Sequence, residues 1–159
     1  MSNYSLTGHV ALVTGSSKGL GASIVRNLAS AGASVVVNAC NNIDRAREVA
    51  DEINEGGGKA IAVGADVTKS DEIAALVEEV TSKLGPIDIV VPNATGPQPL
   101  KPIEEYDADF YRQMYEFFVM GPYHLAQAAL PGMKAQGWGW IVNVTSEVFH
   151  CSVPNFSAY

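Results

Sequence analysis

VALVTGSSKGLG, running from Val10 to Gly21, decides the fold. Val10–Val13 is a short apolar run of the kind shown by a parallel strand buried on both faces. Behind the glycines, residues 22–31 place Ile24, Val25 and Leu28 at helical spacing, and Gly32 ends the pattern as a C-cap would. The glycines therefore fall on a strand-to-helix turn. There Gly15 permits a tight turn, Gly19 lets backbone approach a pyrophosphate, and Gly21 lets the helix pack close to the sheet. Gly15, Ser17, Lys18, Gly19, Leu20 and Gly21 are accordingly the candidate phosphate-binding residues, because the helix start offers free N–H groups and the positive end of its dipole. An ordinary strand–helix connection also uses glycine; the flanking strand and helix favour the dinucleotide site.

Outward from this stretch, strand and helix patterns alternate. Residues 33–37 form a β-branched apolar run, and residues 41–55 carry Ile43, Ala46, Val49, Ala50 and Ile53 on one helical face before three glycines. Residues 59–65 predict a third strand. Ser70 and Asp71 open a helix with Ile73, Leu76, Val77 and Val80 as its stripe, and residues 87–91 predict a fourth strand. A Pro- and Gly-rich loop covers residues 92–102. Residues 106–136 read as one long helix kinked at Gly121-Pro122, apolar on more than one side through core burial, and residues 140–144 predict a fifth strand. Such alternation requires parallel pairing with right-handed crossovers, hence one doubly wound α/β domain over residues 1–159. The expected strand order is 3-2-1-4-5. Its ligand crevice lies where the order reverses, at the C-terminal ends of strands one and four.

Composition narrows the function. The chain has 159 residues, 47% hydrophobic and 17% charged, which suits one domain with a substantial core. A net charge of −7 without a basic cluster argues against nucleic acid or an anionic membrane as partner. Cys40 and Cys151 fit neither a redox pair nor a zinc site, so no metal is expected and both thiols are read as reduced. No apolar run reaches membrane-spanning length and the first residues lack a signal-peptide pattern, so a soluble cytoplasmic protein is expected.

Thr14-Gly15-x-x-x-Gly19-x-Gly21, Asp66-Val67, Asn93-Ala94, Ser146 and, thirteen residues on, Tyr159 together resemble the short-chain dehydrogenase/reductase family over the whole chain, with a likeness to oxoacyl reductases. The resemblance implies an oxidoreductase interconverting a small-molecule carbonyl and alcohol by hydride transfer. It implies that Asp66 accepts from the adenine amino group and that the Val67 amide holds the ring. Asn93, with Ala94, supports strand four and the cofactor ribose. Ser146 bonds the substrate carbonyl, and Tyr159 is the acid or base. Taken singly, each has a plainer account: strand exit, turn residue, loop hydroxyl, half-buried aromatic. Joint occurrence at this spacing is what unrelated turns rarely reproduce.

Cofactor choice has a physical reading. An NAD-preferring site wants an acid near the end of strand two, for the ribose 2′-OH. Here that stretch is Asn38-Ala39-Cys40-Asn41, without a carboxylate, and Asn38 is its candidate cofactor contact. Lys18 can instead pair with a 2′-phosphate, although a solvated surface lysine is the plainer account. NADP (NADPH) is therefore the expected cofactor, with NAD second.

The family's tyrosine is helped by a lysine four residues beyond it, because a free phenol titrates at about 10. The sequence ends at Tyr159, and two further strands of the family's sheet have no counterpart in it. The chain is accordingly read as the N-terminal part of a longer reductase, a poor enzyme alone, with its fifth strand an uncovered edge. Residues 92–95 read Pro-Asn-Ala-Thr where the family has Asn-Asn-Ala-Gly. Phe118 stands where the family's long helix carries an asparagine; the proton relay is then rerouted, through Glu116 or Glu147, or activity is reduced. Two alternatives stay open: a non-catalytic nucleotide-binding or assembly module, and a halohydrin-dehalogenase-like lyase, against which the intact glycine loop argues. The long helix also packs between subunits in the family, implying a homodimer or homotetramer.

Overall fold

The computed structural model describes residues 5–151 and 153–158. Its strands are β1 (Val10–Val13), β2 (Ser34–Ala39), β3 (Lys59–Gly64), β4 (Ile89–Val91) and β5 (Trp140–Ile141). The helices are α1 (Gly19–Ser30), α2 (Ile43–Glu55), α3 (Ser70–Leu84), α4 (Ala108–Tyr115) and α5 (Gly121–Gln136). All pairings are parallel and the order is β3-β2-β1-β4-β5, the expected doubly wound sheet.

Alternation along β1 divides the core between the two faces. Leu12 joins Val36, Val90, Leu76, Val80 and Leu125 on the side of α3 and α5. Ala11 and Val13 join Val25, Val35, Val37, Val49 and Ile53 on the side of α1 and α2. Because both faces are covered, the central strands are continuously apolar rather than alternating with polar residues.

Several boundaries differ from expectation. β2 runs on through Asn38, which is 1% exposed yet satisfied: its Nδ2 donates to the Val63 and Ala65 carbonyls at 3.2 Å each. Regular pairing in β4 begins at Ile89, although the Asp88 N–H already donates to the Val10 carbonyl at 3.1 Å and its carboxylate adds further ties. Oδ1 accepts the Val10 N–H at 3.0 Å and Oδ2 faces His9 Nδ1 at 2.9 Å. Regular pairing in β5 is short, but the Trp140, Val142 and Val144 N–H groups still donate to the carbonyls of Asp88, Val90 and Pro92.

The start of the long helix is corrected to Ala108, and the kink expected at Gly121-Pro122 follows a π-helical turn over Glu116–Met120 that joins α4 to α5. Pro122 has no N–H to donate back, and the Gly121 N–H bonds the Glu116 carbonyl five residues earlier. Core burial is also corrected as the reason for its apolar flank. Tyr111, Tyr115, Val119 and Tyr123, spaced four apart, are exposed, as is Leu130.

Candidate active site

The β1–α1 turn is held from both sides. Thr14 Oγ1 accepts the N–H groups of Asn93 and Ala94 at 3.0 and 3.1 Å, and Asn93 Nδ2 donates to the Thr14 carbonyl at 2.9 Å. Ser16 is buried, donating to the Val13 carbonyl and accepting the Asn38 N–H. Asn38 Oδ1 accepts the Gly15 N–H at 3.1 Å. The turn, the end of β2 and the end of β4 are thus one bonded unit, in which the Asn38 and Asn93 side chains act on protein groups and shape the site. Thr14 was read only as part of the glycine motif and Ser16 was missed, because the partners of these hydroxyls lie up to 80 residues away; their signal was two hydroxyls flanking a glycine at a strand exit.

Two glycines are dictated by space. A Cβ on Gly15 would sit 2.8 Å from Ala94 Cα, and Gly15 has φ +62°. A Cβ on Gly21 would sit 2.6 Å from Asn93 Nδ2 and 2.7 Å from the Gly15 carbonyl oxygen, so its close packing is against this turn rather than the strands. Gly19, at φ +55°, has open space beside it.

The first bond inside α1 runs from the Ala22 N–H to the Lys18 carbonyl. The N–H groups of Gly19, Leu20 and Gly21 precede it, no side chain caps the helix, and no acid stands in its first turn. Such a helix start is competent to hold an anion.

These groups open on a cleft of about 1440 Å³, walled by the C-terminal exits of all five strands. Gly15, Ser17, Lys18, Gly19, Leu20, Gly21 and Asn38 line one end, Asp66 and Val67 follow from β3, and Asn93 and Ala94 from β4. Ser146 enters from β5, its Oγ accepting the Val148 N–H at 3.3 Å. Tyr159 lies outside the described residues. Asp66 Oδ1 accepts both the N–H and the hydroxyl of Thr68, which closes the turn after β3 and fixes its carboxylate at the rim. Cys40 also lines the cleft; burial first, then the charges of Asp66 and Glu72, push its thiol above the ordinary range. Phe117 and Phe118 also line the cleft, whereas Glu116 and Glu147 are not among the described residues that line it. Arg45, which sequence reading passed over, lines the end next to Lys18. Among the described residues no group of His, Cys, Asp or Glu is arranged to hold a metal ion, and no helix is long and apolar enough to cross a membrane.

A parallel sheet of this order, with a glycine turn at the first crossover, is the Rossmann nucleotide-binding architecture. The chain belongs to the short chain dehydrogenase family, whose model matches residues 9–159. It is 41% identical over 157 residues to a 7alpha-hydroxysteroid dehydrogenase of Escherichia coli, covering 99% of this chain and 60% of that protein. A structure of a 7alpha-hydroxysteroid dehydrogenase complexed with NADH and 7-oxo glycochenodeoxycholic acid superposes with TM-score 0.90 at 40% identity, over 98% of this chain and 60% of that one. A metagenomic short-chain oxidoreductase in complex with NADP gives TM-score 0.90 at 35% identity, over 97% and 69%. The chain thus spans about 60% of the length of the curated relatives it matches.

Proposed function

We propose that this chain is the NADP-binding domain of an oxidoreductase that interconverts a carbonyl and an alcohol, with NAD as the weaker cofactor. The observation that carries this is one cleft with three uncapped helical N–H groups at its base, Lys18 beside them, and no carboxylate in residues 38–41. The fit is tested by Gly21: a single methyl there would fill the cradle and displace Asn93.

In this reading the N–H groups of Gly19, Leu20 and Gly21 bind the pyrophosphate, and Lys18 neutralises the 2′-phosphate. Asp66 and the Val67 amide take the adenine end, while Asn93 and Ala94 support the ribose. NADPH, when bound, supplies the hydride. The Ser146 hydroxyl orients the substrate oxygen, and Tyr159 holds the proton delivered to it. Phe117 and Phe118 exclude water from the cleft.

NADPH fluorescence titration of the purified chain, followed by carbonyl-dependent consumption of NADPH, tests the proposal. Saturable binding with weaker binding of NADH supports it; no response to either nucleotide refutes it. One observation favours a second reading, a nucleotide-binding module without turnover. Phe118 lines the cleft and neither Glu116 nor Glu147 is among the described residues that line it. Binding without NADPH consumption by ketones or NADP reduction by alcohols selects that reading. The exposed stripe of Tyr111, Tyr115, Val119 and Tyr123 further supports a homodimer or homotetramer.

A further inference from the structure

A second cavity, a groove of about 440 Å³ between α1 and α2, meets the main cleft at one corner. Ser17, Lys18, Gly19 and Arg45 belong to the walls of both. What singles out this corner is its charge. The chain has four arginines. Arg26 makes a two-point pair with Glu52, Arg47 meets Asp44 at 2.6 Å, and Arg112 meets Asp109. Arg45 alone has no carboxylate partner among the described residues, although the protein carries a net charge of −7.

Nor does Arg45 serve its own helix. It stands in the first turn of α2, where its N–H is taken by Asn42 Oδ1 at 3.0 Å and where a cation opposes the helix dipole. Side chains that break a local rule without a compensating contact are expected at functional or strained sites. The remaining charges of the groove do not cancel the corner. Arg26 and Glu52 neutralise each other, and Glu48 lines the groove but not the cleft. Lys18 and Arg45 therefore leave two unpaired cations where the cleft and the groove join. A planar guanidinium beside a point-like ammonium matches a phosphate monoester, whose oxygens accept two parallel N–H bonds.

We propose that Arg45 is a specificity-determining residue that grips the 2′-phosphate of the nucleotide together with Lys18. This rests on dinucleotide binding in the cleft, and the test separates the two. NADPH and NADH are titrated by fluorescence against the native chain, Arg45→Ala, Arg45→Lys, Lys18→Ala and, as a control on the same helix, Arg47→Ala. Adenosine 2′,5′-bisphosphate and adenosine 3′,5′-bisphosphate serve as competitors.

Arg45→Ala is expected to weaken NADPH by about ten- to a hundredfold, the range for losing a charged hydrogen bond. NADH affinity then stays within about twofold, Arg45→Lys recovers part of the loss, and Arg47→Ala behaves as native. The 2′,5′-bisphosphate competes and the 3′,5′ isomer does not. If NADPH binding is unchanged in Arg45→Ala, or if NADH falls equally, the role of Arg45 is overturned while dinucleotide binding stands. Preferential competition by the 3′,5′ isomer also overturns it, assigning the corner to another phosphate monoester. A native chain that binds neither nucleotide overturns the cleft assignment itself.

Discussion

At the scale of single residues, the cleft depends on atoms that are missing. Gly21→Ala puts a methyl 2.6 Å from the Asn93 amide and 2.7 Å from the Gly15 carbonyl, so both must move. Overpacking of this kind costs about 1–3 kcal/mol. A urea unfolding curve should show that loss with weakened NADPH binding, and an unchanged midpoint would contradict the packing described. Cys40 supplies a second expectation. Its thiol is pushed up by burial and by Asp66 and Glu72, so less thiolate exists at neutral pH than for a free cysteine. Alkylation by iodoacetamide should therefore be slow near neutrality, accelerate as pH rises, and slow again with NADPH present. Cys151, exposed like Cys40 but outside the cleft wall, should show no NADPH protection. Equal protection of both thiols would place the nucleotide elsewhere. Much of the site was legible at this scale because glycine spacing reports backbone shape directly. Asn93 was visible as a support of strand four through the resemblance, but Asn38 was visible as a position and not as a brace, since its partners sit on other elements and only tertiary pairing reveals them.

Among the elements, Asp88 joins three strands at the end of the sheet opposite the cleft. Its backbone N–H donates to Val10, its carbonyl accepts from Trp140, and its carboxylate takes the Val10 N–H and meets His9. His9 in turn stacks on Trp138 with ring centroids 4.0 Å apart. Asp88→Ala leaves the Val10 N–H buried without a partner, which costs about 1–3 kcal/mol. His9→Ala should cost less, because its side chain is 32% exposed and Asp88 retains Val10. Urea midpoints for the two variants check this, and a larger loss in His9→Ala would contradict it. Strand and helix identities were readable from period alone, whereas their ends were not. β2 outlasts its apolar run because Asn38 satisfies itself on β3, and the π turn arises from the placement of Pro122 within a pattern that is helical throughout.

For the molecule as a whole, the sheet order followed from alternation, since right-handed crossovers leave few arrangements of five parallel strands. The fate of the apolar helix flank did not, because periodicity reports that a face is apolar and not what covers it. Tyr115 and Tyr123 are each about half exposed, at 53% and 52%. If a second copy packs there, Tyr115→Glu with Tyr123→Glu should lower the sedimentation coefficient without changing the circular dichroism spectrum. An unchanged sedimentation coefficient would contradict that packing. Nucleotide binding as a whole stands on the first crossover being a phosphate cradle. The most direct measurement is an amide NMR titration with NADPH, following the N–H signals of Gly19, Leu20 and Gly21. These three are predicted to shift first and furthest, together with Asp66 and Val67 at the far rim. Saturation of the protein with those signals unmoved would contradict the account.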